Sequence, residues 1–321
     1  MPKIFITRKI PESGIDLLRK EGFDVEVSDF DGILSREKLL EKVKGADAIL
    51  SLLTDKIDGE IMDVSGAQLK IIANYAVGYD NLNLEDAKKR NIILTNTPEV
   101  LSETVAEHTF ALMLAIAHRI VEADKFFRDG KYVGWAPLLL LGQDVAHKML
   151  GVVGLGRIGS LVAKHAHKGF EMKVLYYDIK RNENFEKEFN AEFRANVEDV
   201  LKEADFISLH VPLLPSTKHL INEERLKLMK KSAYLINASR GPVVDENALV
   251  AALKEGWIRG AALDVYENEP KSASGLTDLP NVILTPHIAS ATEGTRSQMS
   301  ILAAKNIIAV LKGEEPLTPI K

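Results

Sequence analysis

The sequence predicts an α/β protein built from two doubly wound parallel-sheet domains. Short apolar runs rich in Ile, Val and Leu alternate with helix-period segments along nearly the whole chain. That alternation marks βαβ units whose strands are buried on both faces. One long helical segment interrupts it, and 321 residues exceed what one ordinary core accommodates, so two units are expected. The first run opens with "KIFIT" (3–7) and a helix near 12–21. It continues through "DVEV", a helix near 36–44, "AILSLL" (48–53), "LKIIANY" (69–75), a helix near 84–90 and "IILTN" (92–96). The interruption follows "NTPEV". There "ETVAEHTFALMLAIAHRI", with Ser102 as its N-cap, carries Val105, Thr109, Leu112, Met113 and Ile116 at helical spacing.

The second run starts at "KMLGVVGLG". Its strands are "KVLYYD" (173–178), "FISLHV" (206–211), "AYLINAS" (233–239), "GAALDV" (260–265) and "VILTPH" (282–287). A final amphipathic helix, "TEGTRSQMSILAAKNIIAVLKG", places Met299, Leu302, Ala303 and Val310 along one face. Crossovers between the domains are expected near residues 98 and 289.

Bulk properties exclude several classes of function. The chain is 46% hydrophobic and 27% charged, and 41 basic against 46 acidic residues leave a net charge of −5. Nucleic acid or an anionic membrane as main partner would need a basic face. The start, "MPKIFITRKI", lacks the apolar run of a signal peptide, and no uncharged stretch reaches the roughly 18 residues that span a bilayer. Cysteine is absent, which removes disulfide and thiolate chemistry. A soluble, cytoplasmic protein is expected.

The most informative motif is "GVVGLGRIGS", which sets Gly154, Gly156 and Gly159 in G-x-G-x-x-G spacing. It follows an apolar strand, opens a helix, and precedes a second strand ending at Asp178, about 20 residues on. In a dinucleotide site the first glycine makes the tight turn and the second admits the pyrophosphate. The third allows close helix packing, and the helix N-terminus attracts the phosphates. Asp178 then stands where an acid accepts the adenine ribose hydroxyls and repels a 2′-phosphate. Lys180 and Arg181 follow closely and can accommodate a phosphate, so NAD is expected with NADP possible.

A bound dinucleotide raises the question of which polar groups handle a carbonyl. "NASRGPVVDE", "LDVYENEP" and "LTPHIAS", all at strand ends of the second run, supply candidates. Arg240 can grip a carboxylate and carbonyl with its planar fork. His287 can donate a proton in reduction and accept one in oxidation. Glu269 can hydrogen-bond the imidazole and fix its tautomer.

These segments, with the glycine loop and "NYAVGYDNLNLEDAKKRNIILTNTPEVLSETVAEHT", resemble the D-isomer-specific 2-hydroxyacid dehydrogenase family from about residue 3 to 317. Within it the chain is most similar to glyoxylate/hydroxypyruvate reductases of archaeal type, through "WAPLLLLGQDV", "LINEERLKLMKKSAYLIN" and "AVGYDN". The resemblance implies a flavodoxin-like substrate domain (1–98 plus 290–321, the last helix returning to it) and a Rossmann NAD-binding domain (99–289), with the cleft between them. It implies that Arg240 anchors the substrate, Glu269 supports, and His287 is the acid/base. It further implies that the backbone at Val77 and Gly78 binds the substrate carboxylate and that Leu53 shapes the pocket. Thr104, Leu155, Gly156, Arg157, Ile158, Asp178, Val211, Pro212, Thr217, Ala238, Asp264 and Ala289 would line the cofactor, beside Gly154 and Gly159 of the motif. The implied partner is a small 2-keto or 2-hydroxy acid, and the implied assembly a homodimer.

The resemblance also sets the alternatives: D-lactate or D-3-phosphoglycerate dehydrogenase, or a corepressor-like NAD-sensing binding protein. Phosphoglycerate enzymes often carry a C-terminal regulatory domain, for which a chain stopping at Lys321 has no room. Formate dehydrogenases of this fold carry glutamine where Glu269 stands. Relatives usually have glycine where His147 stands. His108 and His118 are read as packing or interface residues. His165 and His167, two apart on a helix, are poor co-ligands, and no cluster has zinc spacing. The Leu138 to Leu141 run suits either core or a dimer contact in which Trp135 reaches the partner's active site.

Overall fold

The computed structural model describes residues 1–320. It divides the chain into two compact units, Met1–Leu101 with Ser290–Lys321, and Ser102–Ala289.

The first unit alternates strand and helix: β1 (Lys3–Ile6), α1 (Glu12–Lys20), β2 (Asp24–Val27), α2 (Arg36–Lys42), β3 (Ala48–Ser51), α3 (Gly59–Ser65), β4 (Ile71–Asn74), α4 (Leu84–Lys89) and β5 (Ile93–Thr95). The five strands are parallel in the order β2-β1-β3-β4-β5, which is the flavodoxin-like order. Every residue of β3 and β4 is buried, as strands covered on both faces require. The sequence pattern did not single out α3; its start is fixed by Asp58, whose carboxylate accepts the Ile61 N–H.

The second unit opens with α5 (Ser102–Ala117) and α6 (Ile120–Arg128). It then runs β6 (Met149–Val153), α7 (Arg157–Phe170), β7 (Lys173–Tyr177), α8 (Glu183–Phe189), β8 (Glu192–Phe193), α9 (Val197–Glu203), β9 (Phe206–Leu209), α10 (Glu223–Leu228), β10 (Tyr234–Asn237), α11 (Glu246–Glu255), β11 (Gly260–Leu263) and β12 (Val282–Leu284). The strand order is β12-β11-β10-β9-β6-β7-β8. Counted from β6, that is the Rossmann order with one further strand beside the sixth.

Alternate residues of each strand feed opposite cores. Leu150, Val152, Tyr234 and Ile236 pack with α5 and α7. Val153, Leu235, Leu209 and Leu263 pack with α9, α10 and α11. Each fully buried Leu or Ile contributes about 1.5–3 kcal/mol over leaving it in water. This explains why the strands read as unbroken apolar runs rather than alternating ones.

α12 (Glu293–Leu311), capped by Thr292, closes the chain in the first unit. It packs on α1 so closely that a Cβ at Gly14 would lie 2.3 Å from the Ser300 carbonyl oxygen. The Ser300 hydroxyl donates to the Pro11 carbonyl at 2.7 Å.

The structure corrects several local expectations. Ser102 is already the first helical residue rather than a cap outside the helix. The long helical segment does not run unbroken to Ile120. Arg119 takes a left-handed φ of 55° and divides it into α5 and α6, with its guanidinium held by Glu122. The Leu138–Leu141 run is not core, since Leu138 is 79% exposed and Trp135 83%. His147 has φ 62°, a conformation glycine adopts without steric cost, which accounts for glycine being usual there. Among the described residues, no helix is long and apolar enough to cross a membrane.

Candidate active site

Strand register lines up the candidate residues of the second unit. Val153 of β6 pairs with Tyr177 of β7 and Leu209 of β9. Leu209 pairs with Asn237, Asn237 with Leu263, and Leu263 with Leu284. The residues that follow leave the sheet side by side along one carboxyl edge. They include Gly154, Asp178, Val211, Ala238, Asp264 and His287. In open α/β sheets ligands bind outside the carboxyl ends of the strands, at the switch point, which here is β6/β9.

The glycine loop fits a pyrophosphate. Gly154 has φ +96°, and a Cβ on it would lie 2.7 Å from the His210 carbonyl oxygen. A Cβ on Gly159 would lie 2.0 Å from the Gly154 carbonyl oxygen. Both glycines are therefore required by the protein itself. A Cβ on Gly156 would meet nothing within 4 Å. The fold itself therefore does not demand glycine there, and the space lies open at the start of a 14-residue helix with no side-chain cap. Leu155, Arg157 and Ile158 complete this turn.

Asp178 is fixed at the end of β7 by N–H donors from Leu155 (2.7 Å) and Lys180 (3.1 Å), one to each carboxylate oxygen. Arg181 does not turn toward it. Its guanidinium donates to Glu186 at 2.7 Å and lies over the Phe193 ring, and Glu186 raises its pKa. In the β9–α10 loop, the Thr217 hydroxyl donates to the Pro212 carbonyl at 2.6 Å and accepts the Leu214 N–H.

At the other end of the edge, the His287 Nδ1 and Glu269 Oε2 lie 2.9 Å apart. Glu269 Oε1 accepts the Tyr266 N–H at 3.1 Å. Burial acts to raise the Glu269 carboxyl, but the His287 hydrogen bond and charge, the Tyr266 N–H and Arg240 outweigh it, and the group is held below the usual carboxylate value. His287 has φ 53°, and its N–H donates to the Asp264 carbonyl.

Asp264 is fully buried and organises the loop that carries His287. It accepts from the Thr285 hydroxyl (2.6 Å) and the N–H groups of Ile288 (2.9 Å) and Ala289 (2.8 Å). Burial pushes this carboxyl up, and the bonds from His108, Thr285, Ile288 and Ala289 bring it down further, to a net lowered value. A depressed folded-state pKa means that Asp264 stabilises the fold above its unfolded value of about 3.9. That contribution is lost as pH falls through the lower folded value.

Arg240 leaves the end of β10 in an extended conformation. Asn237, 1% exposed, shapes this turn, donating to the Arg240 carbonyl (3.0 Å) and accepting the Ser239 N–H (3.0 Å). The next residue must be glycine, because a Cβ on Gly241 would lie 1.9 Å from the Tyr266 carbonyl carbon. The Arg240 turn and the Glu269 loop are thus pressed together.

In the first unit, Leu53, Val77 and Gly78 lie in the loops after β3 and β4. Three asparagines tie these loops down by their carbonyls: Asn96 to Val77 (2.7 Å), Asn74 to Gly78 (2.9 Å) and Asn81 to Leu52 (3.1 Å). Holding the carbonyls this way fixes the direction of the backbone N–H groups.

Several residues escaped the sequence reading. His108 is not merely a packing residue: its Nε2 lies 3.4 Å from the Thr285 hydroxyl and 3.5 Å from Asp264. It stands one helical turn from Thr104, and that spacing was the available signal. Asn237, Tyr266 and the asparagines act through hydrogen bonds between segments far apart in sequence, which leave no local pattern. Burial pushes the His210 imidazole down to about 3, and it pairs with the Ser208 hydroxyl at 2.7 Å. It is neutral at physiological pH.

Comparison with known proteins gives a consistent family. Residues 110–289 match the model of the D-isomer-specific 2-hydroxyacid dehydrogenase NAD-binding domain. A glyoxylate reductase from Pyrococcus horikoshii is 54% identical, covering 99% of this chain and 95% of the relative. One from Thermococcus kodakarensis is 51% identical at the same coverages. A crystal structure from Thermus thermophilus superposes with a TM-score of 0.93 at 44% identity, covering 99% of this chain and 100% of that one. The NADPH-dependent glyoxylate/hydroxypyruvate reductase of Sinorhizobium meliloti, solved with NADP and malonate, gives 0.86 at 31% identity over 99% and 96%.

Proposed function

We propose that this chain, which belongs to the D-isomer-specific 2-hydroxyacid dehydrogenase family, reduces glyoxylate or hydroxypyruvate to the 2-hydroxy acid with NADH as the preferred cofactor. The observation that carries this reading is the His287–Glu269 pair, with Arg240 beside it, on the carboxyl edge of a sheet whose glycine loop fits a dinucleotide. The malonate bound by the Sinorhizobium relative is a small carboxylate, as the proposed substrates are.

The nicotinamide cofactor, when bound, supplies the hydride for the keto carbon. The chain supplies the rest. Arg240 grips the substrate carboxylate and polarises the carbonyl. With Nδ1 directed at Glu269, Nε2 of His287 is the nitrogen left to donate a proton to the oxygen as charge develops there. Glu269, kept ionised, compensates the imidazolium that serves as proton source. In the first unit, the N–H groups of Val77 and Gly78 would receive the substrate carboxylate, and Leu53 would shape the pocket. Thr104, Val211, Pro212, Thr217, Ala238, Asp264 and Ala289 would line the cofactor with the glycine loop. The exposed Val133, Trp135, Leu138 and Leu141 favour a homodimer, since so contiguous an apolar stretch suits a protein partner.

The cofactor preference rests on Asp178. A 2′-phosphate brings nearly two negative charges against this carboxylate, a penalty on the order of a few kcal/mol at short range. Arg181 cannot offset it without leaving Glu186. Wild-type enzyme is expected to favour NADH over NADPH at least about tenfold in kcat/KM, a difference of about 1.4 kcal/mol. Asp178→Ser should weaken NADH use and narrow the ratio. Steady-state rates with both cofactors and a panel of 2-keto acids test the whole reading. A clear NADPH preference would overturn the Asp178 assignment, and absence of turnover with every keto acid would overturn the activity.

A further inference from the structure

Glu246, the first residue of α11, is a buried acid that the reaction as described does not use. Its side chain is 2% exposed, and among the described residues no Lys, Arg or His forms an ion pair with it. A carboxylate in that position is costly unless its oxygens are hydrogen-bonded. Both are, and both to one loop. Oε1 accepts the Glu267 N–H at 2.5 Å and Oε2 accepts the Ala273 N–H at 2.7 Å.

These two donors bracket Glu269. The same loop is fixed by the Tyr266 hydroxyl on the Thr285 carbonyl at 2.8 Å and by the Glu267 side chain on His219 at 2.7 Å. Tyr266 in turn gives its N–H to Glu269. We propose that Glu246 is the positioning residue that sets the Glu269 carboxylate against the His287 imidazole. This rests on the reading of His287 as the acid/base. Glu246 touches neither substrate nor cofactor in that reading; it works by clamping the loop on both sides of the acid.

The test compares wild type, Glu246→Gln, Glu269→Gln and the double variant. A glutamine at 246 keeps the volume but has one acceptor oxygen, and its amide N–H₂ would face one of the two backbone donors. The groups facing Glu269 are His287, Arg240 and the Tyr266 N–H, and the Tyr266 phenol is faced by Asp264, Glu246 and Glu269. A looser Glu269 therefore loses the contacts that depress its pKa. In Glu246→Gln, kcat should fall about tenfold with KM changed less than about threefold, and the acid limb of the kcat/KM profile should move to higher pH. The double variant should be no slower than Glu269→Gln alone, because both changes break one unit.

A second readout needs no turnover. In ¹⁵N spectra of the cofactor-free protein, His287 should hold its proton on Nδ1 in wild type and exchange between tautomers in Glu246→Gln. Wild-type kcat and an intact Nδ1–H signature in Glu246→Gln would overturn the proposal, as would multiplicative losses in the double variant. If Glu246→Gln fails to fold, wild type still decides, since fast hydrogen exchange at both the Glu267 and Ala273 amides would contradict the clamp. If wild type reduces no keto acid, the activity reading fails while the tautomer measurement still judges Glu246.

Discussion

His287→Asn is expected to lower kcat for glyoxylate reduction by about 10²–10⁴-fold while leaving NADH affinity nearly unchanged. Asparagine is the informative replacement. His287 sits at φ 53°, a left-handed conformation that asparagine tolerates well. Alanine there would add a strain cost on the order of 1 kcal/mol to the loss of the imidazole. The asparagine variant keeps the backbone, and with it the Asp264 carbonyl bond, and removes only the proton donor. The loss should fall on kcat rather than KM, because a proton is needed only as charge develops on the carbonyl oxygen. Rapid-mixing measurement of NADH oxidation in a single turnover checks this. A wild-type single-turnover rate would remove His287 from the acid/base role.

Arg240→Ala should raise KM for the keto acid and lower kcat together, reducing kcat/KM by at least about 100-fold. Hydrogen bonds to charged groups contribute about 1.5–3 kcal/mol each, and Arg240 is assigned to the carboxylate in the ground state and to the carbonyl in the transition state. Arg240→Lys should recover only part of this, because an ammonium cannot reproduce a two-pronged grip. The fold should survive both changes, since Asn237 shapes the turn through the backbone of residues 239 and 240. Steady-state kinetics over a range of glyoxylate concentrations, with NADH saturating, separates the two effects. A fall in kcat with unchanged KM would contradict the ground-state half of the assignment.

Much of this molecule was legible because strands buried on both faces and a glycine loop are local signals. "VILTPH" and "GVVGLG" predict a strand and the turn after it without tertiary information; Gly159 is dictated by a contact within that turn, whereas the His210 carbonyl that crowds Gly154 comes from the end of β9. The arrangement of Arg240, Glu269 and His287 was less accessible. It follows from the register of β10, β11 and β12, which puts three sequence-distant strand ends side by side. What supports them was invisible. Glu246 reads as an ordinary acid in the first turn of a helix, and Asp264 as one more candidate lining residue. Gly241 reads as turn composition until the Tyr266 backbone is placed against it. The Leu138–Leu141 run stayed open between core and surface, because apolar composition cannot distinguish a core segment from one left exposed.

The most direct measurement is the absolute configuration of the product formed from hydroxypyruvate and NADH, followed by chiral chromatography as NADH is consumed one for one. With Arg240 on the carboxylate and His287 at the carbonyl oxygen, as proposed, a single face of the keto carbon would meet the hydride. D-glycerate alone is expected, as the D-isomer specificity of the family implies, with its formation slowed by at least about 100-fold in His287→Asn and Arg240→Ala. L-glycerate, a racemic product, or NADH oxidation without glycerate would contradict it.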